Sequence, residues 1–194
     1  MSLPPTDNAV GPHLLAAVAR GEPESLDSWY RSEHPVVYRL CFGFLADPTE
    51  AEDAAQDAML KLADTLRHYD PQRPYPAWRN TVVLNLCRDT LRRKNTRLHA
   101  EQAAPLKLPP KLPPRPEEMA TAGEIRELLH QALAHLSPRE REAFVLRDLE
   151  GRPTREAAAV LGVGESTVRS LLTLARRRLR QLLGKRLAIE GTSK

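Results

Sequence analysis

Cysteine is scarce. There are two in 194 residues, and Cys41 and Cys87 each fall within an apolar helical pattern, with no Cys or His neighbour at metal-ligand spacing. That usage argues against a disulfide framework or a zinc site and leaves two buried free thiols as the expectation. Histidine is equally thin: the six residues are scattered singly, without a Ser-His-Asp or Cys-His arrangement, and the nine glycines form no phosphate-cradling loop. Catalysis is therefore not expected, nor any cofactor or metal. Long apolar runs are missing as well. No window reaches the roughly 18 residues that a membrane span requires, and the chain opens Pro-rich and then acidic rather than basic and then apolar. The expectation is a cytoplasmic protein without membrane insertion.

What the chain does have is helical periodicity, proline and clustered charge. Apolar residues make up 41% and charged residues 28%, ordinary globular usage, whereas 17 prolines against nine glycines is an excess that needs placing. Between Ser25 and about Arg97 the apolar positions recur at helical spacing, as Val37, Leu40, Cys41, Phe44, then Ala51, Ala54, Ala55, Ala58, Met59, Leu62, then Trp78, Val82, Val83, Leu86. Three or four packed helices follow, broken at Asp47-Pro48 and across the Pro-rich run from Asp70 to Pro76. Six of the twelve residues from Pro105 to Pro116 are proline, a composition that favours an extended polyproline II spacer. From Leu98 to Pro116 such a spacer could reach about 60 Å at ~3.1 Å per residue. The expected organisation is all-α: an N-terminal extension 1–24, a helical domain 25–97, a linker 98–116, a second helical domain 117–187 and a tail 188–194.

In the second domain Ile125, Leu128, Leu129, Ala132, Leu133 and Leu136 restore the helical period, and Ser137-Pro138-Arg139-Glu140 offers a capping box with a first-turn proline. After Gly151-Arg152-Pro153, Thr154 is placed to cap another helix. The stretch Thr154 to Leu161, then Gly162-Val163-Gly164, then Glu165 onward has the spacing of a helix-turn-helix. Ala158 is small where the helices cross, Gly162 stands where positive φ is needed, and Val168 packs the second helix onto the first. Val168, Leu171, Leu172, Ala175 and Leu179 form the inward stripe, which leaves Glu165, Thr167, Arg169, Ser170, Thr173, Arg176 and Arg177 for the DNA side. From Glu165 to Arg186 seven residues are basic and one is acidic, which concentrates the charge that displaces counterions from DNA.

The first domain carries its own basic run, Arg88, Arg92, Arg93, Lys94 and Arg97, following Tyr75, Trp78, Arg79 and Asn80. Aromatics beside cations suit an unpaired strand, because a base can stack on the ring while arginine holds the backbone. Trp78 at the start of an amphipathic helix reads first as core, so Tyr75 is the expected platform. Asp53, Gln56 and Asp57 share one helix face at i, i+3 and i+4, a face suited to a basic partner or simply to solvent, with Lys61 at pairing distance from Asp57.

In this order the features resemble an extracytoplasmic-function sigma factor, a bacterial RNA polymerase subunit, from about Leu14 to Leu183. The residues that carry the likeness are Asp47 to Asp57, Pro76-Ala-Trp78 with Asn85, Asp89 and Arg92-Arg93, Leu136 to Glu142, and the helix-turn-helix through Ala175-Arg176. The resemblance implies that Asp53, Gln56 and Asp57 bind the clamp helices of the polymerase largest subunit. It implies that Tyr75, Trp78, Arg79, Asn80, Asn85, Arg88, Arg92 and Arg93 recognise and hold open the minus-10 element. Thr154, Glu165, Thr167, Arg169, Ser170, Thr173, Arg176 and Arg177 would read the minus-35 element, beside the flap of the second-largest subunit. An anti-sigma factor is a further partner typical of the family, though no residue here encodes it. The sequence departs from the usual pattern at Leu171 and Leu174, where polar or basic residues are common, and at Ala157, where a larger aliphatic is common. A free-standing dimeric regulator would share the helix-turn-helix but leaves residues 25–97 without a role.

Overall fold

The computed structural model describes residues 10–101 and 131–191. The Pro-rich segment 105–116, and Ile125, Leu128 and Leu129 of the stripe that follows it, lie outside the described residues. The first module comprises α1 (Pro12–Ala19), α2 (Pro23–Leu45), α3 (Pro48–Thr65), a 3-10 turn (Leu66–His68) and α4 (Tyr75–Glu101). Proline opens each of the first three helices, where its missing N–H would have had no intrahelical acceptor. The Asp47 carboxylate then accepts from the amides of Thr49 and Glu50, both at 3.0 Å, and so caps α3. Helix α2 continues through Pro35, an interruption of about 3 kcal/mol that burial of Trp29, Val37, Leu40, Cys41 and Phe44 offsets.

The face that α3 buries is mostly alanine, with Ala51, Ala54, Ala55 and Ala58 alongside Met59 and Leu62. Such a face brings the backbone of α3 close to α2 and leaves the larger apolar side chains to α2 and α4. Helix α1 lies inside the expected extension and adds Leu15 and Val18 to the same core. Cys41 and Cys87 are both buried and free, and the neighbouring Cys41 thiol, then burial, raise the Cys87 thiol well above its ordinary range.

In the second module a helical segment ends at 131–134, and the Ser137 capping box with Glu140 opens α5 (Pro138–Phe144). The next turn, Val145–Leu149, widens to π-type bonding, with the Glu150 amide donating to the Val145 carbonyl at 2.9 Å. Helices α6 (Thr154–Leu161) and α7 (Glu165–Gly191) follow. Gly162 takes φ 68° and ψ 36° and closes α6 in the left-handed conformation expected of it. Ala158 and Val168 are buried at the helix crossing. The capping role expected of Thr154 is corrected, because Pro153 occupies the N-cap and Thr154 is the first helical residue, with no side-chain cap hydrogen bond.

The two modules are in contact. Val145, Leu146, Ala157, Ala158, Leu161, Val168 and Leu172 belong to the same buried apolar cluster as α1 to α4. Gly43, mid-helix in α2, faces Val145 so closely that a Cβ at Gly43 would lie 2.9 Å from Val145 Cγ2. Glycine weakens a helix interior by about 1 kcal/mol relative to alanine, and this close approach is what the position needs. Arg141 reaches across to the end of α2 and donates to the carbonyls of Phe44 at 3.2 Å and Leu45 at 3.0 Å. Its cation thus meets the negative end of that helix.

Candidate nucleic-acid interface

The exposed side of α7 follows from its helical period. With Val168, Leu172, Ala175 and Leu179 buried and Leu171 half-buried, Glu165, Thr167, Arg169, Ser170, Thr173, Arg176 and Arg177 are all exposed, and Thr154 at the start of α6 is half-buried. Two of the arginines are held in place. Arg169 pairs with Glu165 one turn back at 2.8 Å, and Arg176 makes a bidentate pair with Asp148 at 2.7 and 2.8 Å. Arg176 remains about half exposed, at 51%, so it can exchange that carboxylate for a phosphate. Among the described residues of the helix, Leu174 is the one large apolar side chain that is exposed.

The start of α4 differs from the sequence expectation. Tyr75 is buried, accepts a hydrogen bond from the Trp29 indole at 2.9 Å and donates to Glu33 at 3.3 Å. Burial and the Glu33 carboxylate push its phenol above the ordinary tyrosine value. Arg79 is buried against Glu33 at 3.2 Å and also donates to the side-chain oxygen of Asn80, which is itself fully buried. The expectation that Tyr75, Arg79 and Asn80 meet a DNA strand is therefore corrected: in this structure they form a polar network inside the first module. The physical reason is that a guanidinium, a phenol and an amide satisfy one another around one buried carboxylate. Glu33 is the residue that sequence reasoning missed. Its signal was available, since it stands at the inward spacing between Trp29 and Val37.

Above that network, Trp78 is half-buried and packs with Tyr69 and Tyr75, at centroid distances of 5.1 and 5.8 Å. Trp78 and Tyr69, rather than Tyr75, thus bring aromatic surface toward solvent beside the loop at 70–74. Farther along α4, Asn85, Arg92 and Arg93 are exposed, with Arg92 paired to Asp89 at 3.0 Å. Arg88 is half-buried and bidentate to Glu142 of α5 at 2.8 and 2.7 Å, a partner 54 positions away that no local pattern announces.

On α3, Asp53, Gln56 and Asp57 are exposed on one face, together with Leu60 at 72% exposure. Among the described residues no ion pair joins Asp57 to Lys61, and both carboxylates of that face are exposed. An apolar side chain surrounded by carboxylates suits a basic protein surface more than nucleic acid, which would repel them. Among the described residues no helix is long and apolar enough to cross a membrane.

Comparison with known proteins assigns both modules. Residues 29–97 match sigma-70 region 2, and residues 126–179 match sigma-70 region 4. The chain is 33% identical to the ECF RNA polymerase sigma factor SigM of Mycobacterium tuberculosis over 171 residues, 88% of this chain and 83% of that one. It is 32% identical to the RNA polymerase sigma factor CnrH of Cupriavidus metallidurans over 176 residues, 88% of this chain and 92% of that one. The solved structure of CnrH with the cytosolic domain of CnrY superposes with TM-score 0.62 at 25% identity, covering 89% of this chain and 96% of that one. The sigma factor RpoE of Bartonella quintana, solved with the anti-sigma factor NepR, shares the fold at TM-score 0.68 and 21% identity, over 83% of this chain and 98% of that one. With regions 2 and 4 matched in order and such relatives aligned over most of its length, the chain belongs to the extracytoplasmic-function (ECF) family of RNA polymerase sigma factors.

Proposed function

We propose that this chain directs bacterial core RNA polymerase to two-part promoters, docking through α3 and reading DNA with both modules. Asp53, Gln56, Asp57 and Leu60 form the face for the clamp helices of the largest subunit, and the second module sits beside the flap of the second-largest. Trp78, Asn85, Arg88, Arg92 and Arg93, with the loop at 70–74, hold the melted minus-10 strand. Glu33, Tyr75, Arg79 and Asn80 support that surface from beneath. The exposed row of α7 from Glu165 to Arg177 enters the major groove at the minus-35 element. The protein lowers the free energy of strand opening by capturing unpaired bases, and the polymerase does the chemistry, so the chain itself is no enzyme. Its place is the cytoplasm, with the polymerase. An anti-sigma protein is a further partner in this reading, since CnrH was solved bound to a domain of another protein.

The observation that carries the reading is the co-occurrence in one chain of an exposed acidic docking face on α3 and a helix-turn-helix whose polar row is free of the core. A dimeric regulator needs only the second. In vitro transcription with core polymerase on a promoter library tests it. The expected result is start sites downstream of one shared two-part element, and only when the chain is present. A chain that forms no stable assembly with core polymerase, yet footprints palindromic duplex by itself, would be the regulator instead.

A further inference from the structure

The contact between the modules joins the very helix assigned to the minus-10 strand to the domain assigned to the minus-35 element. Arg88 takes part in it. Its guanidinium presents two parallel N–H donors to the two oxygens of Glu142, at 2.8 and 2.7 Å. That fork matches a carboxylate and a phosphate equally well. Glu142 is buried and also receives Arg139 at 3.3 Å, so its charge is held in place from both sides. Two further contacts set the same geometry independently of charge on Arg88. Gly43 admits Val145 into van der Waals contact across the interface, and Arg141 closes the end of α2 through the Phe44 and Leu45 carbonyls. By contrast Asp53, Gln56 and Asp57 on α3 stay exposed, as does the polar row of α7.

We infer that Arg88 is a site with two alternative occupants: in the free chain the Glu142 carboxylate fills it and holds the modules together, and a phosphate of the promoter strand takes its place when the chain acts. The inference rests on the reading of Arg88 as a strand contact. One basic side chain cannot give the same pair of donors to both acceptors at once, so strand binding and module closure exclude each other at this point. Because the docking face on α3 is open in the closed form, polymerase can engage the chain before the pair is exchanged. The closed form then reduces the affinity of the free chain for a single strand in proportion to the fraction of molecules left open.

The test uses the full chain without polymerase, with a labelled single-stranded oligonucleotide of mixed sequence as probe. Glu142→Gln removes the charge that competes for Arg88. Gly43→Leu wedges the interface from α2 without touching either acidic or basic groups, and circular dichroism melting confirms that both variants fold. Both should bind the strand more tightly than the native chain, by about tenfold if roughly a tenth of native molecules are open, and small-angle scattering should show a larger radius of gyration for Gly43→Leu. In an Arg88→Gln background, Glu142→Gln should bring no gain, which a general loosening of the fold would not produce. Strand affinity unchanged in both variants overturns the inference whatever the radius does, and so does a gain from Glu142→Gln that persists without Arg88. Transcription by the native chain with core polymerase is measured in parallel: its absence sinks the proposed function, whereas its presence with unchanged strand affinities sinks only the exchange at Arg88.

Discussion

The start of α4 and the outer row of α7 handle their polar residues in opposite ways, although region 4 buries Glu140, Arg141 and Glu142 elsewhere. Region 2 takes charge inside, packing Glu33, Tyr75, Arg79 and Asn80 into its core around one carboxylate. Region 4 keeps its polar row on the surface of α7, with Arg169 and Arg176 paired only to neighbouring acids that leave them half exposed or more. The difference teaches where a polar residue near a nucleic-acid face is a contact and where it is support. A buried ion pair is expensive to break and specifies one arrangement of the helices around it, whereas a surface pair is worth little and is readily exchanged.

The sharpest way to break the comparison is Glu33→Ala. It strands the buried Arg79 cation, and we expect a loss of about 3–5 kcal/mol in global stability by denaturant unfolding, as for other buried pairs that lose one partner. A loss below about 1 kcal/mol would place Arg79 in solvent in the working protein and return it to the DNA face. Next in size is the double change Asp53→Arg with Asp57→Arg, which sets like charges against a basic partner surface. Association with core polymerase should fall by more than about tenfold while the melting temperature holds, and undiminished pull-down would disqualify α3 as the docking face.

In region 4, Gly162→Ala introduces no clash, since nothing lies within 4 Å of the added carbon, but it places a side chain at φ 68°. A loss of about 1 kcal/mol is expected from backbone strain alone, read as a lowered midpoint with DNA-binding residues untouched. The smallest effect is that of Arg176→Ala on stability, because an exposed pair with Asp148 contributes roughly 0–1 kcal/mol. Its effect should appear instead in the salt dependence of duplex binding, with the slope reduced by about one unit. An unchanged slope removes Arg176 from the phosphate contacts.

Much of this was legible locally. The capping box at Ser137 and Glu140, the positive φ of Gly162 and the inward stripe of α7 all depend on neighbours within one or two turns, and each stands as the spacing predicts. Thr154 missed its expected cap by one residue because Pro153, with its fixed φ, already supplies the extended conformation that the position needs. Tyr75 departs from its expected position for a different reason. A tyrosine in a Pro-rich loop reads as exposed unless one knows that Trp29 and Glu33, more than forty positions earlier, provide its hydrogen-bond partners.

By itself the sequence determined most of the helices, the Ser137 capping box, the helix-turn-helix and the order of modules that marks the family, because backbone hydrogen bonds and the 3.6-residue period are settled within a few positions. Only the tertiary structure decided that Tyr75, Arg79 and Asn80 lie inside, that Gly43 receives Val145, and that Arg88 is held by Glu142. Those outcomes depend on groups 42 to 102 positions apart along the chain, between Tyr75 and Glu33 at the near end and Gly43 and Val145 at the far one. A charged side chain takes whichever partner the folded chain brings within about 3 Å.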